Sequence, residues 1–394
     1  KIYLDYILDH YSKTPMKKCK PLIRSLLRMG AYQILFMDVR DAAACSEAVS
    51  LAKKRGFGRL SGFVNGVLRT LVREKENLPV PDKKDDVKYV SITYSVPEWL
   101  SKLIIEQYGK ESAEKIFASF LEARPLTIRT NLSKTTPEEL EKELEEAGVK
   151  VEKGNYLPYA FTISNLNYLG KIAAFRQGKF AVQDESSQLA VAIADINEGD
   201  FVLDVCAAPG GKTFHAADRL KGAGKVLSRD LTEYKTELIE ENKDRMCYEN
   251  VEVQQWDALV EDESLLESVD VLLADLPCSG LGIMGRKNDI KYQMTQQQLS
   301  ELAQLQRDIL SVIWRYVKPG GEMIFSTCTL NRGENVENIR WIEENTPMRL
   351  VSIEDYLPET LKGRTGSQGY LQLIPGKDSC DGFFISKFER PEAR

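Results

Sequence analysis

The sequence predicts an α/β protein of three parts, in which a helical domain and a small α+β domain precede a doubly wound sheet with helices on both faces. Three observations support this prediction. Apolar residues recur at helical spacing up to residue 76, short strands and helices mix from residue 87 to residue 172, and strands alternate regularly with helices from residue 173 to residue 394. Regular alternation is typical of a mostly parallel sheet that binds its ligands at the carboxyl ends of the strands.

Residues 1–76 form the first predicted domain, a small helical bundle. Leu22, Leu26 and Met29 follow helical spacing, and similar apolar runs recur through the domain. The first 75 residues contain 15 Lys and Arg against 6 Asp and Glu, whereas the rest of the chain contains 38 against 53. A basic domain on an otherwise acidic chain indicates that a polyanion binds at this end.

Residues 77–86, with the sequence NLPVPDKKDD, are predicted to be a linker because they are charged, contain two prolines and lack an apolar period. The second domain is predicted over residues 87–172. It has an alternating strand at Leu126–Asn131 and a helix that starts with the capping pair Thr136-Pro137. This mixture resembles an RRM-like platform, although the aromatic signature of that platform is absent.

The third predicted domain, residues 173–394, contains the strands of the doubly wound sheet. Six strands are predicted, at Phe201–Val205, Lys225–Arg229, Val251–Gln254, Val269–Asp275, Glu322–Thr327 and Gly382–Phe388. Helical segments separate most of them, so parallel pairing is expected. Residues that bind ligands should therefore follow the strand ends.

Composition limits the class of protein. A chain of 394 residues is too long for one compact core, and a content of 43% hydrophobic and 28% charged residues is typical of soluble globular proteins. No apolar run reaches the length of a membrane span and no signal peptide is recognisable, so we expect a cytoplasmic protein without a membrane partner. The seven scattered cysteines form no CxxC pair, which predicts free thiols and no metal site.

The stretch Asp204–Thr213, DVCAAPGGKT, predicts a strand, a tight turn and a helix start that together form a ligand cradle. Gly210 and Gly211 allow the backbone to approach a ligand closely. A P-loop would need glycine at Cys206, and the nicotinamide fingerprint GxGxxG is absent. The carboxylate of Asp230, at the end of the next strand, can bind the ribose hydroxyls of an adenosine ligand.

Two cysteines follow two further predicted strands. Cys278 lies in the segment that begins at Asp275, and Cys328 follows the strand that ends at Thr327. If these strands are neighbours, they lie about 5 Å apart, and both thiols reach the same sheet edge as the cradle. The sequence therefore predicts that two thiols and a carboxylate converge there.

Three motifs, DVCAAPGGKT, DLPCSGLG at residues 275–282 and STCTLNRGENVENI at residues 326–339, resemble the Nol/Nop/Sun family of RNA cytosine-5 methyltransferases. The basic N-terminal helices are similar to a NusB-like domain, and the segment FAVQDESSQL is similar to that of bacterial members acting on small-subunit ribosomal RNA. The sequence departs from the family at Leu276, where Ala is more usual. Its first residue, Lys1, suggests that the chain begins inside a longer one and that the NusB-like domain lacks its first helices.

The resemblance implies S-adenosylmethionine as the cofactor. Seven consecutive residues are implied around its methionine part: Cys206, Ala207, Ala208, Pro209, Gly210, Gly211 and Lys212. Asp230 is implied at the ribose and Asp257 on the adenine side. Asp275 is implied between the cofactor and the target base.

The resemblance also implies the catalytic roles. Cys328 would add to carbon 6 of cytosine, Cys278 would assist loss of the carbon 5 proton and release of the product, and Asp275 would hydrogen-bond the cytosine edge. The implied partner is 16S ribosomal RNA at cytosine 967, with neither DNA nor a metal involved, and the protein is expected to be a monomer. Two alternatives remain open: a non-catalytic RNA-binding or antitermination-like protein, and a cytosine-5 methyltransferase acting on another ribosomal or transfer RNA site.

Overall fold

The computed structural model describes residues 1–166 and 168–392. The chain divides after Phe117 into two compact units. This division lies beyond residue 76, where the first domain is predicted to end, because the helices that follow the linker contact the N-terminal helices. Residue 394, the predicted end of the third domain, lies outside the described residues.

The first unit is helical and has its own apolar core. Its helices are α1 (Ile2–Tyr11), α2 (Pro21–Phe36), α3 (Asp41–Lys54), α4 (Ser61–Glu74), α5 (Asp86–Tyr94), α6 (Glu98–Tyr108) and α7 (Lys110–Ser119), the last of which ends just beyond the division. Leu27 and Ala31 of α2 and Val64 and Leu68 of α4 are fully buried. Their spacing of four residues on each helix produces the apolar stripe that the sequence predicts.

The second unit begins with a four-stranded antiparallel sheet. Its elements are β1 (Leu126–Thr130), α8 (Pro137–Glu146), β2 (Lys150–Lys153), β3 (Ala160–Ser164), α9 (Ala173–Arg176) and β4 (Phe180–Val182), and the strand order is β2-β3-β1-β4. Helix α8 starts at the predicted place because Thr136 and Glu139 form a capping box. Strand β4 pairs with β1, so this sheet continues past residue 172.

A larger sheet of eight strands follows. Its elements are α10 (Glu185–Ala192), β5 (Phe201–Asp204), α11 (Gly211–Arg219), β6 (Lys225–Asp230), α12 (Glu233–Met246), β7 (Val251–Gln255), β8 (Val269–Asp275), α13 (Ile290–Gln293), α14 (Gln296–Ile313), β9 (Val317–Thr327), α15 (Val336–Asn345), β10 (Arg349–Leu350), β11 (Tyr370–Leu373) and β12 (Phe383–Glu389). The strand order is β10-β12-β9-β8-β5-β6-β7, with β11 paired to β12. Strands β5 to β9 pair in parallel and β12 runs antiparallel to β9. The predicted doubly wound fold is confirmed.

The topology brings several strand ends to one edge of this sheet. Strand β5 lies between β6 and β8, and Val202, Leu203 and Leu272 are fully buried, as expected for strands covered on both faces. Strands β8 and β9 are neighbours, which meets the condition for the predicted convergence of the thiols, and Asp275 lies opposite Ser326 in the register. The turns after β5, β8 and β9 therefore open at the same edge.

Among the described residues, no helix combines the length and the apolar composition that a bilayer crossing requires.

Candidate active site

The turn between β5 and α11 forms a narrow backbone cradle directly after Asp204. Gly210 has a φ of 99°, in the left-handed region, and a Cβ at this position would overlap the ring of Phe214. Glycine is therefore required here. The N–H of Ala207 donates to a backbone carbonyl of β6 at 3.0 Å, which ties the turn to the neighbouring strand.

A cavity of about 250 Å³ opens beside this cradle. Eight of the predicted site residues line it: Cys206, Ala207, Ala208, Pro209, Gly211, Lys212, Asp275 and Cys328. Gly210, Asp230, Asp257 and Cys278 are not among its lining residues. The structure thus brings most of the predicted residues to one cavity, while their roles stay predictions.

Nine further lining residues were not named as site residues from the sequence, although Asp204 begins the predicted cradle stretch: Val182, Gln183, Asp184, Ser186, Ser187, Asp204, Ile283, Asp381 and Phe383. The local sequence could have indicated Asp184, because an aspartate is a favoured helix N-cap. Asp184 caps α10 by accepting from the N–H of Ser186 at 3.1 Å. No local signal existed for Asp381, whose N–H donates to Asp184 at 3.1 Å across 197 positions.

Asp204 is a buried carboxyl group with one oxygen unpartnered. Its Oδ2 accepts from the hydroxyl of Thr213 at 2.8 Å, but its Oδ1 has no hydrogen-bond partner among the described residues. Burial raises the pKa of Asp204 to about 7, against the lowering effects of Thr213 and Lys212. An oxygen of this kind is a ready acceptor for a cationic or hydroxyl donor from a ligand.

The carboxylate of Asp230 supports the cradle from the end of β6. It accepts from the N–H of Ala208 at 2.9 Å, from the N–H of Leu231 at 2.8 Å and from Nζ of Lys235 at 2.8 Å. The side chain of Asp230 is buried, whereas that of Lys235 is 46% exposed. Asp230 therefore fixes the turn through two backbone donors, and Lys235 is its exposed side-chain donor.

Lys212 connects the cradle helix with the end of β8. Its Nζ donates to Oδ2 of Asp275 at 2.6 Å and to Oγ of Ser187 at 2.9 Å, and it lies 5.1 Å from the ring centre of Phe383. The hydroxyl of Ser326 donates to the other oxygen of Asp275 at 2.7 Å. Asp275 is thereby held from two sides at the edge of the cavity.

The thiols of Cys278 and Cys328 meet beside Asp275. Their sulfur atoms lie 3.3 Å apart, a hydrogen-bond separation, and both cysteines are free and half-buried. The pKa of the Cys278 thiol is raised well above its usual range by the hydrogen bond to Cys328, by burial and by the negative charge of Glu334. These surroundings favour the neutral thiol form of Cys278.

Asp257 lies in the turn after β7. Its carboxylate accepts from the N–H of Leu259 at 3.0 Å, which is the usual contact of an aspartate in a turn. The side chain is half-buried and does not line the cavity. Its predicted place on the adenine side stays a prediction.

The donors and acceptors of the cavity suit an amino acid head group. The free oxygen of Asp204 can accept from an ammonium group, and the N–H groups of the first turn of α11 can bind a carboxylate.

Within residues 1–166 and 168–392, no group of three or more His, Cys, Asp or Glu side chains could hold a metal ion.

Three family models match the chain. The model described as 16S rRNA methyltransferase RsmB/F matches residues 191–389, and the NusB family model matches residues 1–73. The ferredoxin-like domain of RsmF/B-like methyltransferases matches residues 96–167. The predicted NusB-like, small α+β and methyltransferase folds are thereby confirmed.

Curated relatives and a solved structure agree with these matches. The "Probable ribosomal RNA small subunit methyltransferase B" of Bacillus subtilis (strain 168) is 38% identical over 398 residues, covering 99% of this chain and 87% of the relative. "Ribosomal RNA small subunit methyltransferase B" of Vibrio cholerae is 31% identical over 380 residues, covering 94% and 82%. The crystal structure of PH0851 matches with a TM-score of 0.82 and 27% identity, covering 98% of this chain and 86% of that one.

These matches confirm the relationship that the three sequence motifs predict. The family uses S-adenosylmethionine, and the cradle, the unpartnered oxygen of Asp204 and the carboxylate of Asp230 fit the amino acid and adenosine parts of that molecule. The chain therefore belongs to the RsmB/F family of S-adenosylmethionine-dependent 16S rRNA methyltransferases.

Proposed function

We propose that the enzyme methylates carbon 5 of a cytosine in 16S rRNA through a covalent bond between Cys328 and carbon 6. The observation that carries this proposal is the 3.3 Å separation of the Cys278 and Cys328 sulfur atoms beside the cavity. Carbon 5 is a weak nucleophile while the ring is aromatic, and addition of a thiolate to carbon 6 makes it reactive. Methyl transfer to a ribose hydroxyl would need no thiol.

The proposed reaction begins when the Cys328 thiolate adds to carbon 6. The electron pair of the double bond between carbons 5 and 6 would then form the bond from carbon 5 to the methyl carbon, while the bond from that carbon to the sulfonium sulfur would break and release S-adenosylhomocysteine. Loss of the carbon 5 proton restores the double bond and breaks the bond from carbon 6 to sulfur. Cys278 passes its proton to the departing sulfur and accepts the proton from carbon 5, and the pair later releases one proton to water.

The two thiols receive different roles because their surroundings differ. Cys328 lines the cavity, whereas Cys278 is not among the lining residues. The raised pKa of Cys278 favours the neutral thiol there, which supports Cys328 as the sulfur that adds to the base. Cys278 then serves as the nearby proton carrier.

Asp275 is the proposed recognition residue for the base. A carboxylate oxygen at this position can accept a hydrogen bond from the amino group of cytosine, which uracil lacks. Lys212 and Ser326 each donate to one of its oxygens and so fix the direction of the carboxylate. This arrangement would favour cytosine over uracil.

The residues of the cradle are proposed to hold the methyl donor. Asp204 would bind its ammonium group, Asp230 would bind the ribose hydroxyls in place of the half-exposed Lys235, and Asp257 would lie on the adenine side. When bound, S-adenosylmethionine supplies a methyl group that its sulfonium sulfur activates for transfer.

The target is proposed from the relatives and from the family resemblance. Two relatives that cover most of the chain are named as small-subunit methyltransferase B, which supports the resemblance-based assignment to cytosine 967. An enzyme with this substrate would work in the cytoplasm, where ribosomes assemble, and the cavity needs no second copy of the chain. We therefore propose a cytoplasmic monomer.

The proposal is tested with two cysteine variants and methyl-labelled cofactor. Cys328→Ala should transfer no methyl group to unmodified 16S rRNA and form no covalent complex, because the adding sulfur is gone. Cys278→Ala should form the complex and release it slowly, so that RNA-linked protein accumulates on a denaturing gel. Position-specific detection of 5-methylcytosine in the wild-type product then identifies the nucleotide.

The control is Cys247→Ala, which removes an exposed thiol in the turn after α12 and should behave as the wild type. Normal turnover by Cys278→Ala would contradict its proposed role. A covalent complex formed by Cys328→Ala would contradict the assignment of the nucleophile. A labelled product other than 5-methylcytosine would contradict the reaction itself.

A further inference from the structure

Glu334 is a fully buried carboxyl group in the short turn after β9, close to the cysteine pair. Its Oε2 accepts from the N–H of Ser279 at 2.7 Å, and its Oε1 accepts from the hydroxyl of Ser279 at 2.6 Å and from Nδ2 of Asn331 at 3.0 Å. All three donors are neutral groups that prefer an ionised acceptor. One carboxylate therefore holds the residue that follows Cys278.

A second contact joins the same two turns. The hydroxyl of Ser279 lies 2.6 Å from the hydroxyl of Thr329, the residue that follows Cys328. Each cysteine thus has a neighbour in this hydrogen-bonded group, which we call the Glu334 clamp: Ser279, Thr329, Asn331 and Glu334. Because the contacts lie directly beside both cysteines, the clamp sets the separation of the two sulfur atoms.

The clamp also gives the thiols of Cys278 and Cys328 different surroundings. The hydrogen bond to Cys328 and burial contribute most to the raised pKa of the Cys278 thiol, and the negative charge of Glu334 adds to them. Burial raises the pKa of Glu334 itself, while the contacts with Ser279 and Asn331 lower it. The clamp donors thus maintain a negative charge beside Cys278.

We propose that Glu334 is a positioning residue for methyl transfer, whose carboxylate fixes the Cys278 turn against the Cys328 turn and makes Cys278 the less reactive thiol of the pair. Cys328 is then the sulfur that is free to add to the base. This inference rests on the proposed function, since it explains how the cysteine pair is divided into a nucleophile and a proton carrier. Glu334 acts through the thiols and does not touch the substrate.

The test measures thiol reactivity in the full chain without RNA or cofactor. The protein is treated with iodoacetamide, and peptide mass spectrometry gives the alkylation rate of each cysteine. In the wild type Cys328 should react faster than Cys278, because the thiolate is the reactive form. In Glu334→Gln the ratio of the two rates should fall by more than about threefold, because removal of the negative charge lowers the pKa of Cys278 and raises its thiolate fraction.

Ser279→Ala is the matched control, because it removes the two hydroxyl contacts of the clamp, with Glu334 and with Thr329, and leaves the Glu334 charge in place. Its rate ratio should stay within about threefold of the wild-type ratio, a smaller change than one pKa unit produces. Thermal melting of both variants reports whether the fold is intact. A variant that loses only packing would melt earlier without changing the order of reactivity.

Three results would overturn the inference: faster reaction of Cys278 than of Cys328 in the wild type, an unchanged ratio in Glu334→Gln, or an equal loss of the ratio in Ser279→Ala. The first of these needs no variant, so the inference can be tested even if Glu334→Gln fails to fold. Because no RNA is present, failure of the proposed function would appear separately, as an absence of 5-methylcytosine in the RNA assay.

Discussion

Asp204 differs from Asp230 and Asp275 because only one of its oxygens has a hydrogen-bond partner among the described residues. Asp230 accepts from three donors, and Asp275 accepts from Lys212 and Ser326. Burial of a charge is costly where few donors compensate for it, which is why the pKa of Asp204 rises to about 7. The same deficit makes this residue a binding group for a cationic ligand.

The raised pKa of Asp204 predicts a pH dependence of stability in the protein without ligand. Between its usual value near 4 and the folded value of about 7, the folded state binds a proton that the unfolded state does not, so its contribution to stability is lost as the pH rises. Asp204→Asn removes this loss. Its free energy of unfolding relative to the wild type should therefore increase by up to about 4 kcal/mol from pH 4 to pH 7.5, as measured by chemical denaturation.

Asp262→Asn provides a control of opposite sign. Hydrogen bonds from Ser264 and Arg229 lower the pKa of Asp262, so its contribution is present above the unfolded value and is lost as the pH falls through the folded value. The difference in free energy of unfolding between this variant and the wild type should therefore shrink below about pH 4. If the free energies of unfolding of Asp204→Asn and the wild type changed in parallel with pH, the raised pKa of Asp204 would be contradicted.

At the scale of elements, three loops meet through their backbones at the cavity edge. Gly282, in the loop after β8, donates its N–H to the carbonyl of Cys328 at 3.0 Å and accepts from the N–H of Gly382 at 2.9 Å. A Cβ on Gly282 would overlap the carbonyl oxygen of Gly382 and lie 2.8 Å from that of Cys328. The absence of a side chain at this position lets the loops that carry the two thiols touch.

Gly282→Ala should therefore move the loop that carries Cys278 away from Cys328. Displacement of a catalytic group by about 1 Å can cost on the order of 100-fold in rate, so kcat/KM for methyl transfer should fall by about that factor. Gly333→Ala is the control, since its Cβ would meet its nearest neighbour, the side chain of Asn331, at an ordinary 3.5 Å. Equal rates for the two variants would show that the loop contact is unimportant.

A buried ion pair connects the small sheet with the cradle helix. Nη1 of Arg129 in β1 donates to the carboxylate of Asp218 in α11 at 2.5 Å, and both side chains are at most 2% exposed. Arg129→Met should leave Asp218 without its cation and lower the free energy of unfolding by about 3–5 kcal/mol. Chemical denaturation of the full chain measures this loss.

Lys221→Met is the matched control because it breaks an exposed pair with Glu198 in the same unit. An exposed pair contributes about 0–1 kcal/mol, so this variant should unfold close to the wild type. If Arg129→Met lost as little free energy of unfolding as the control, the other donors to Asp218, on Leu132 and Ser133, would be sufficient to stabilise its buried carboxylate.

The sequence predicts elements whose signal is local and misses contacts that only folding creates. The apolar runs of β5 and β8 predict strands because burial on both faces needs such runs, and the cysteine pair follows from the adjacency of β8 and β9. Helix α10 is missed because Glu185, Ser186 and Gln188 are polar side chains that become buried only through tertiary contacts. The approach of Gly282 to Gly382 spans 100 positions and has no local pattern.

At the scale of the whole molecule, charge is divided between the two ends of the sequence. The excess of 15 Lys and Arg over 6 Asp and Glu lies in the first 75 residues, within the helical unit, whereas the remainder is acidic. Lys53, Lys54 and Arg55 at the end of α3 are exposed, as is Arg59 just beyond it. A cluster of exposed cations on one unit attracts an RNA backbone without reading its sequence.

The triple substitution Lys53→Ala, Lys54→Ala and Arg55→Ala should therefore weaken RNA binding and reduce its dependence on salt. Each phosphate contact contributes about 0.7–0.9 to the slope of log K against log salt concentration, so loss of three contacts should lower that slope by about 2. Fluorescence anisotropy with a 16S rRNA fragment from 50 to 200 mM salt measures the change. The methyl transfer rate at saturating RNA should stay unchanged, since none of these residues lines the cavity.

The charge-matched control replaces three exposed lysines of the second unit, Lys142, Lys150 and Lys153. An equal loss of slope in this control would mean that net charge alone, and not the cluster on the first unit, binds the RNA.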